Sequence, residues 1–344
     1  MVTVIIPVFN GGRTLGRCIA SALEQDYPSI EVIVIDNAST DNTGAIARAF
    51  GDRITYVLNE SNLGLARSYT KALLMARTEL VIYLQSDCAF GQRDYVTLIL
   101  RHFEDRTIGA VTGKSTVADF RALTWGQRIF AILNLNDISE ASETGVYEIN
   151  FVEARCDAFR TALLRDIGGF NSELTLSNED QDLSIKIRRR GYRLLQDRSL
   201  RFLLGYGGTQ DSYLKLLLKQ FLMARGQGYI FHRYRMESAE HAGQSLNRML
   251  RVVHRGSQIV MTLVIGALGI AAALGVTPAL WALVALLVAR AAYYGGLGVY
   301  YWSLGCKGLV TDFVPLVPTG LLCDVVYGGS FFYGIARSSL RLQV

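Results

Sequence analysis

Between Gly256 and Ala336 the chain carries charge only at Arg290, Lys307, Asp312 and Asp324, whereas the residues before Gly256 are charged at the density of an ordinary soluble domain. An apolar stretch of that length points to lipid, because a helical span needs about 20 residues at a rise of about 1.5 Å each. Gly256 to Val276 meets that length, and Thr277 and Pro278 then break it. Ala279 to Ser303 reads as a returning span with Lys307 at its far end. Gly308 to Ala336 carries two aspartates and two prolines, and reads as a third span, a re-entrant hairpin or an interfacial helix. Arg248, Arg251 and Arg255 crowd the start of the first span, which places the residues before it on the cytoplasmic side. Arg337 and Arg341 place the end there too and favour an even number of crossings. The expected location is therefore the cell (inner) membrane, multi-pass, with a cytoplasmic head.

Within the 344 residues three regions are expected: a cytoplasmic head over 1–211, amphipathic interfacial helices over 212–255, and a membrane domain over 256–344. The apolar run from Val2 to Ile6 has no basic segment before it, so no signal peptide is expected. Cys18, Cys88, Cys156, Cys306 and Cys323 show no CxxC pair and no metal spacing, and read as reduced core thiols. The net charge of +5 lies largely near the apolar region, which suits anionic lipid. No groove-reading helix or basic–aromatic interleaving points to nucleic acid.

The first 112 residues alternate short β-branched runs with helical patterns, the pattern of an α/β domain with a parallel sheet. Strands are expected at Thr3 to Ile6, Glu31 to Ile35, Ile54 to Val57, Leu80 to Leu84 and Ile108 to Thr112. Leu15, Cys18, Ile19, Ala22 and Leu23 form one apolar helix face. Ligands of such sheets collect beyond the carboxyl ends of the strands. Here those ends are Pro7 to Asn10, Asp36 to Ser39 and Gln85 to Asp87, all polar. GAVTGKS at Gly109 to Ser115 is one residue too short between its glycines for a phosphate loop, and no G-x-G-x-x-G follows a strand.

The strand ends IIPVFN, VIVIDNASTDNT and YLQSDCAF, followed by GGFN and SNEDQDLSIKIRRRGYRLL, occur in that order. The series resembles the family 2 glycosyltransferases, inverting enzymes of the GT-A fold that take sugars from nucleotide diphosphates. The resemblance covers roughly residues 2 to 230. With the apolar tail it is similar to members that act on lipid-linked acceptors in polysaccharide or glycoconjugate assembly. It implies a GT-A (nucleotide-diphospho-sugar transferase) domain joined to an α-helical membrane domain.

By that resemblance Pro7, Phe9, Asn10 and Asp36 hold the nucleoside of a UDP, dTDP or GDP sugar, and Asn62 and Arg67 in NLGLARS lie near the donor phosphates. A carboxylate at Asp36 accepts from base N–H and ribose hydroxyls, while Ser39, Thr40 and Asp41 are better placed to cap the next helix. The family's Asp-x-Asp ends the fourth strand, and its last acid ligates Mg²⁺ or Mn²⁺. Asp87 matches that acid; Gln85 replaces the first, and Ser86 lies between. One carboxylate with phosphate oxygens and water suffices for such hard ions. The other reading of Asp87 is a turn residue capping the next helix.

The family's general base is the second acid of its Glu-Asp pair, here Asp180, with Glu179 orienting the acceptor. Leu183, Ile187 and the stop at Gly191 predict a helix opening at Asn178 to Glu179. Its dipole favours an ionised Asp180 by roughly 0.3 to 1 kcal/mol, against repulsion from Glu179 and Asp182. Gly168, Gly169 and Phe170 match the family's sugar-side loop, and also read as a plain turn. FVEARCDAFR departs from the family by placing Arg155, Cys156 and Asp157 before Phe159 and Arg160. Leu214, Leu217, Leu218 and Phe221 predict an amphipathic helix at the bilayer surface. On it, Gln220 and Arg225 are the nearest matches to the family's Gln-Arg region over the donor diphosphate and acceptor. Arg290, inside the second span, either supports a polyprenyl-phosphate-linked acceptor or pairs with Asp312 or Asp324. The function implied is transfer of a sugar to a hydroxyl of a lipid-linked (polyprenyl-diphosphate) saccharide. A polyprenyl-phosphate glycosyltransferase is the alternative. The reading from another class is a non-catalytic nucleotide-sugar sensor or scaffold, for which Gln85 argues.

Overall fold

Val2 to Val8 is buried at every position, as in a strand covered on both faces. In the computed structural model its odd and even residues enter different cores: Val4, Ile6 and Val8 pack with Leu15, Cys18 and Ile19, whereas Ile5 packs with Tyr69, Leu73 and Leu183. Period-two alternation thus separates the helices of the two faces. Residues 1–117, 124–133, 144–174, 178–205, 213–234, 246–303 and 313–341 are described. They fall into two units, Met1–Ala118 with Glu140–Gly207, and Asp119–Ser139 with Gly208–Val344.

The first unit contains β1 (Val2–Val8), α1 (Leu15–Leu23), β2 (Ile30–Asp36), α2 (Thr43–Arg48), β3 (Thr55–Leu58), α3 (Leu65–Met75), β4 (Leu80–Leu84), β5 (Cys88–Phe90), α4 (Tyr95–Arg101) and β6 (Ile108–Val117). After α5 (Trp125–Leu133), which groups with the second unit, follow β7 (Val146–Ile149), β8 (Cys156–Arg160), α6 (Thr161–Asp166), α7 (Glu179–Arg189) and β9 (Arg193–Leu204). Among the described residues the strands form one sheet of order β3-β2-β1-β4-β8-β6-β9-β5, with β7 on β9. The expected parallel arrangement holds for β3, β2, β1 and β4. Beyond them the sheet is mixed: β8 inserts antiparallel between β4 and β6, while β6 and β9 pair in parallel. That insertion sets Cys156 opposite Leu84, so the residue before β8 meets the residue after β4. GAVTGKS lies inside β6, a strand and not a loop.

The second unit holds α5, α8 (Tyr213–Tyr234), α9 (Leu246–Ala273), α10 (Thr277–Ser303) and α11 (Phe313–Arg341). Of the stretch between β6 and β7, the described residues 124–133, which hold α5, group with these helices. Val253–Ala273, Thr277–Leu297 and Leu316–Ser339 are each long and apolar enough to cross a membrane. The third is one continuous helix through Pro318, not a re-entrant hairpin, so three helices qualify where charge favoured an even number. Helices α8 and α11 approach through glycines: a Cβ on Gly228 would sit 2.1 Å from the Phe331 carbonyl oxygen, and one on Gly334 2.1 Å from that of Arg225. On α8, Leu216 is fully buried, while Leu214 and Leu218 of the expected lipid face stay exposed.

Candidate active site

The strand ends are joined by backbone and polar contacts before any ligand is considered. Val8 lies opposite Asp36, and Asp36 opposite Leu58. Asp36 is 1% exposed; its Oδ1 accepts from the Ser39 N–H at 2.9 Å and its Oδ2 from the Tyr56 hydroxyl at 2.7 Å. Burial first, then Asp36, pushes the Tyr56 hydroxyl up to about 12, so it stays a donor. Each carboxylate oxygen keeps a second lone pair. The Asn10 side chain accepts from the Thr40 N–H at 2.8 Å, and the Asn10 N–H donates to the Ser39 hydroxyl at 2.8 Å. This fastens the loop after β1 to the loop after β2, and Asn10 takes a left-handed φ of 51° to do so. Phe9, which follows β1 in sequence, is 49% exposed. Pro7 corrects the sequence reading: it lies buried within β1, opposite Ile35, and the turn begins at Phe9. Asp41, not Asp36, holds the first turn of α2, accepting from the Thr43 N–H at 3.0 Å.

Beneath this loop pair runs a buried polar network. Asn37 Oδ1 accepts from Asn59 at 2.9 Å and from the Ser68 hydroxyl at 2.6 Å, and Asn59 accepts from Lys71 at 2.6 Å. It ties β2, β3 and α3 together below the nearby loop, where Asn62 Oδ1 accepts from the Gly64 N–H at 2.9 Å. Arg67 stands exposed in the first turn of α3.

At the end of β4 the chain makes a tight turn. The Cys88 N–H and the Cys18 thiol both donate to the Gln85 carbonyl, at 2.8 and 3.4 Å. The Gln85 N–H donates to the Arg155 carbonyl, and the Gly205 N–H to the Asp87 carbonyl. Gln85, Ser86 and Asp87 are all half-buried. A strand, β5, follows Asp87 directly, so the capping reading of Asp87 has no helix to act on. Among the described residues no three His, Cys, Asp or Glu side chains converge as a metal-holding group. The residues at this turn therefore fit only a hard cation that draws most of its ligands from phosphate oxygens and water.

Helix α7 opens where the sequence predicts, at Glu179, after Asn178 with a left-handed φ of 67°, and ends before Gly191 at φ 80°. Asp180 is half-buried and its Oδ1 accepts from the Gln181 N–H at 2.8 Å. Burial, then Glu179, pushes the Asp180 carboxyl well above the usual carboxylate range, while the Gln181 N–H and Arg155 pull it back. A carboxylate so raised holds a proton more strongly than an ordinary one, which is the direction proton abstraction from a hydroxyl calls for. Asp182, which the sequence set against Asp180, is instead fully buried and paired with Lys186 at 2.7 Å. Glu179 is 7% exposed.

Several expected residues lie elsewhere. Phe170 is a core residue: its ring stacks on Tyr69 at 4.9 Å and lies 5.3 Å from Tyr83, which removes it from any sugar. Gly168 and Gly169, at φ 76° and 64°, terminate α6, with the Gly169 N–H on the Leu164 carbonyl at 2.7 Å. Gln220, 2% exposed, and the half-buried Arg225 belong to α8 in the second unit. Arg290 is bound through Nε and Nη2 to Asp324 at 2.9 and 3.0 Å. The pairing reading therefore replaces the acceptor reading for Arg290, with Asp324 as partner; Lys307 and Asp312 lie outside the described residues. Sequence reasoning missed Tyr56, Asn37 and Ser184, whose roles depend on contacts far along the chain.

Residues 3–168 match the family described as Glycosyl transferase family 2. Among curated proteins, the uncharacterized protein MT1568 of Mycobacterium tuberculosis (strain CDC 1551 / Oshkosh) is 31% identical over 188 residues, covering 51% of this chain and 58% of the relative. The O-antigen chain rhamnosyltransferase WbaN of Salmonella anatum is 28% identical over 202 residues, covering 56% of this chain and 62% of the relative. The chain thus spans less than two thirds of the length of these curated relatives. Among solved structures, the mannosyltransferase PcManGT from Pyrobaculum calidifontis, in complex with GDP-Man and Mn2+, aligns with a TM-score of 0.58 at 20% identity, over 94% of this chain and 86% of that one. At that identity the likeness is one of fold: an α/β head of GT-A type followed by long apolar helices.

Proposed function

We propose that this chain, whose residues 3–168 match glycosyl transferase family 2, is a membrane-anchored inverting glycosyltransferase. It moves a sugar from a nucleotide-diphosphate donor to a hydroxyl of a lipid-linked, polyprenyl-diphosphate saccharide, with its head in the cytoplasm. The observation that carries this reading is a single set of bonds. They fasten the polar ends of β1 and β2 together, and link the end of β4, through residues 152–155, to the first turn of α7. Phe9 offers a stacking face to the base, and the free lone pairs of Asp36 accept from base or ribose. Asn62 and Arg67 lie toward the phosphates. Mg²⁺ or Mn²⁺, held by Asp87 with Gln85 hydrogen-bonding its water, would neutralise the diphosphate, and the Mn2+ named for PcManGT supports that choice. Asp180 removes the acceptor hydroxyl proton as that oxygen bonds to the anomeric carbon. The bond from carbon to diphosphate breaks on the opposite face, its electrons leave with the nucleotide, and the configuration inverts. Glu179 orients the acceptor and, by repulsion, keeps Asp180 basic.

A panel of UDP-, dTDP- and GDP-sugars screened by thermal shift with Mn²⁺ identifies the donor. With that donor, Asp180→Asn should lower turnover onto a hydroxyl acceptor by about 10²- to 10⁴-fold. A polyprenyl phosphate, already anionic, would lose far less, and that outcome would assign the chain to lipid-phosphate sugar synthesis. Donor binding with no turnover in any membrane extract would make the protein a sensor.

A further inference from the structure

Three segments of the head converge on the turn that carries Asp87. The loop after β1 runs past Ser86: a Cβ on Gly11 would lie 3.6 Å from the Ser86 hydroxyl oxygen. Helix α1 holds the turn through Cys18, whose buried thiol donates to the Gln85 carbonyl at 3.4 Å. The residue after β9 closes it, because the Gly205 N–H donates to the Asp87 carbonyl at 2.7 Å. Arg17, one residue before Cys18, reaches the same place. A Cβ on Gly205 would sit 2.5 Å from the Asp87 carbonyl oxygen and 3.5 Å from Arg17 Nη2, so the guanidinium and the turn meet across a residue with no room for a side chain. Arg17 is exposed, and among the described residues no hydrogen bond or ion pair engages its guanidinium. Other arginines of the head are answered: Arg93 by Asp26, Arg193 by Glu148 and Asp105, and Arg48 by the Tyr56 ring. The dipole of α1 opposes a cation in its first turn, and no acid of that turn offsets it.

We propose that Arg17 binds the diphosphate of the donor at the Asp87 turn and stabilises the charge that gathers on it as the nucleotide departs. The inference rests on the reading that the donor diphosphate lies at this turn, and adds to it a residue outside every strand-end motif. A diphosphate joined at both ends carries two negative charges and gains a third when the bond to the anomeric carbon breaks. A carboxylate with one divalent ion presents a single net positive charge, so a further cation is needed where the negative charge grows. A guanidinium suits that place: it offers a planar fork of N–H donors to phosphate oxygens and keeps its charge at any pH at which the protein folds. Gln85, standing where the family has an acid, brings no carboxylate that would compete for it.

The test reads binding by calorimetry on the full chain in detergent. UDP, dTDP and GDP are each titrated with and without Mn²⁺, and the nucleoside of the tightest binder serves as control. With Mn²⁺ present, Arg17→Gln should weaken the nucleoside diphosphate by about 10- to 100-fold and leave the nucleoside unchanged. Arg17→Lys keeps the charge without the fork and should recover part of that loss. The side chain is exposed, so both variants should melt with wild type. Equal weakening of nucleoside and diphosphate would mark a structural role, and wild-type affinity in Arg17→Gln a solvated arginine; either overturns the proposal. Asp87→Asn tests the reading beneath it, and should lose the tighter binding that Mn²⁺ confers. If that variant keeps the gain, the diphosphate does not lie at this turn, and the reading fails together with the proposal. If it loses the gain while Arg17→Gln binds as wild type does, the role of Arg17 alone fails. A wild-type chain that binds none of the three nucleotides overturns both.

Discussion

Asp157 shows what a single residue costs inside this sheet. It is fully buried in β8, opposite Tyr83 on one side and Thr112 on the other. The Thr112 hydroxyl donates to its Oδ1, while Oδ2 has no partner among the described residues. Burial pushes the carboxyl up to about 7, so the folded chain holds a proton there that an unfolded chain loses near pH 4. Between about pH 4 and 7 the folded state binds more protons, so this group's contribution to stability falls as pH rises and is flat above. The upper bound is about 4 kcal/mol. Asp157→Asn keeps the neutral shape, so its melting temperature relative to wild type should climb from pH 5 to pH 8; a constant offset would refute this. The sequence marked Asp157 only as a departure from the resemblance. Its burial was not legible, because the same residue at the exposed end of a strand reads identically.

Among the elements, α10 and α11 meet through a buried ion pair. Arg290 is 7% exposed and Asp324 fully buried; the Tyr294 hydroxyl also donates to Asp324, and the Tyr293 ring lies 4.6 Å from the guanidinium. Asp324→Ala leaves an uncompensated buried cation and should cost about 3 to 5 kcal/mol, read as early melting in detergent. The double variant Arg290→Met with Asp324→Leu should recover most of that loss. If Asp324→Ala melts with wild type, the pair is not what joins these helices. Spacing predicted α1, α7 and the apolar helices, since their patterns repeat within a few turns. The direction of β8 was beyond such reading: a short buried run such as CDAFR is equally apolar in either direction, and only its neighbours β4 and β6 select the antiparallel one.

For the whole molecule the prediction concerns lipid. The full chain should remain in the membrane pellet after alkaline extraction. A cysteine placed at exposed Asp52 should react with an impermeant thiol reagent in inverted vesicles, not in right-side-out ones. Reaction from the outer face would reverse the proposed orientation; described native thiols are buried and give a low background. By itself the sequence determined the division into a charged α/β head and an apolar helical region, the order of the polar strand ends, and the start of α7. Those features follow from periodicity and composition over windows of a few to some twenty residues. Only the tertiary structure decided that Asp36 is held by Tyr56, that Arg290 answers Asp324, that Phe170 fills the core, and that the backbone of residues 152–155 is bonded both to Gln85 after β4 and to Ser184 on α7. Each is a contact between residues distant in the chain. Such contacts are fixed by strand order and helix packing, which no local pattern encodes.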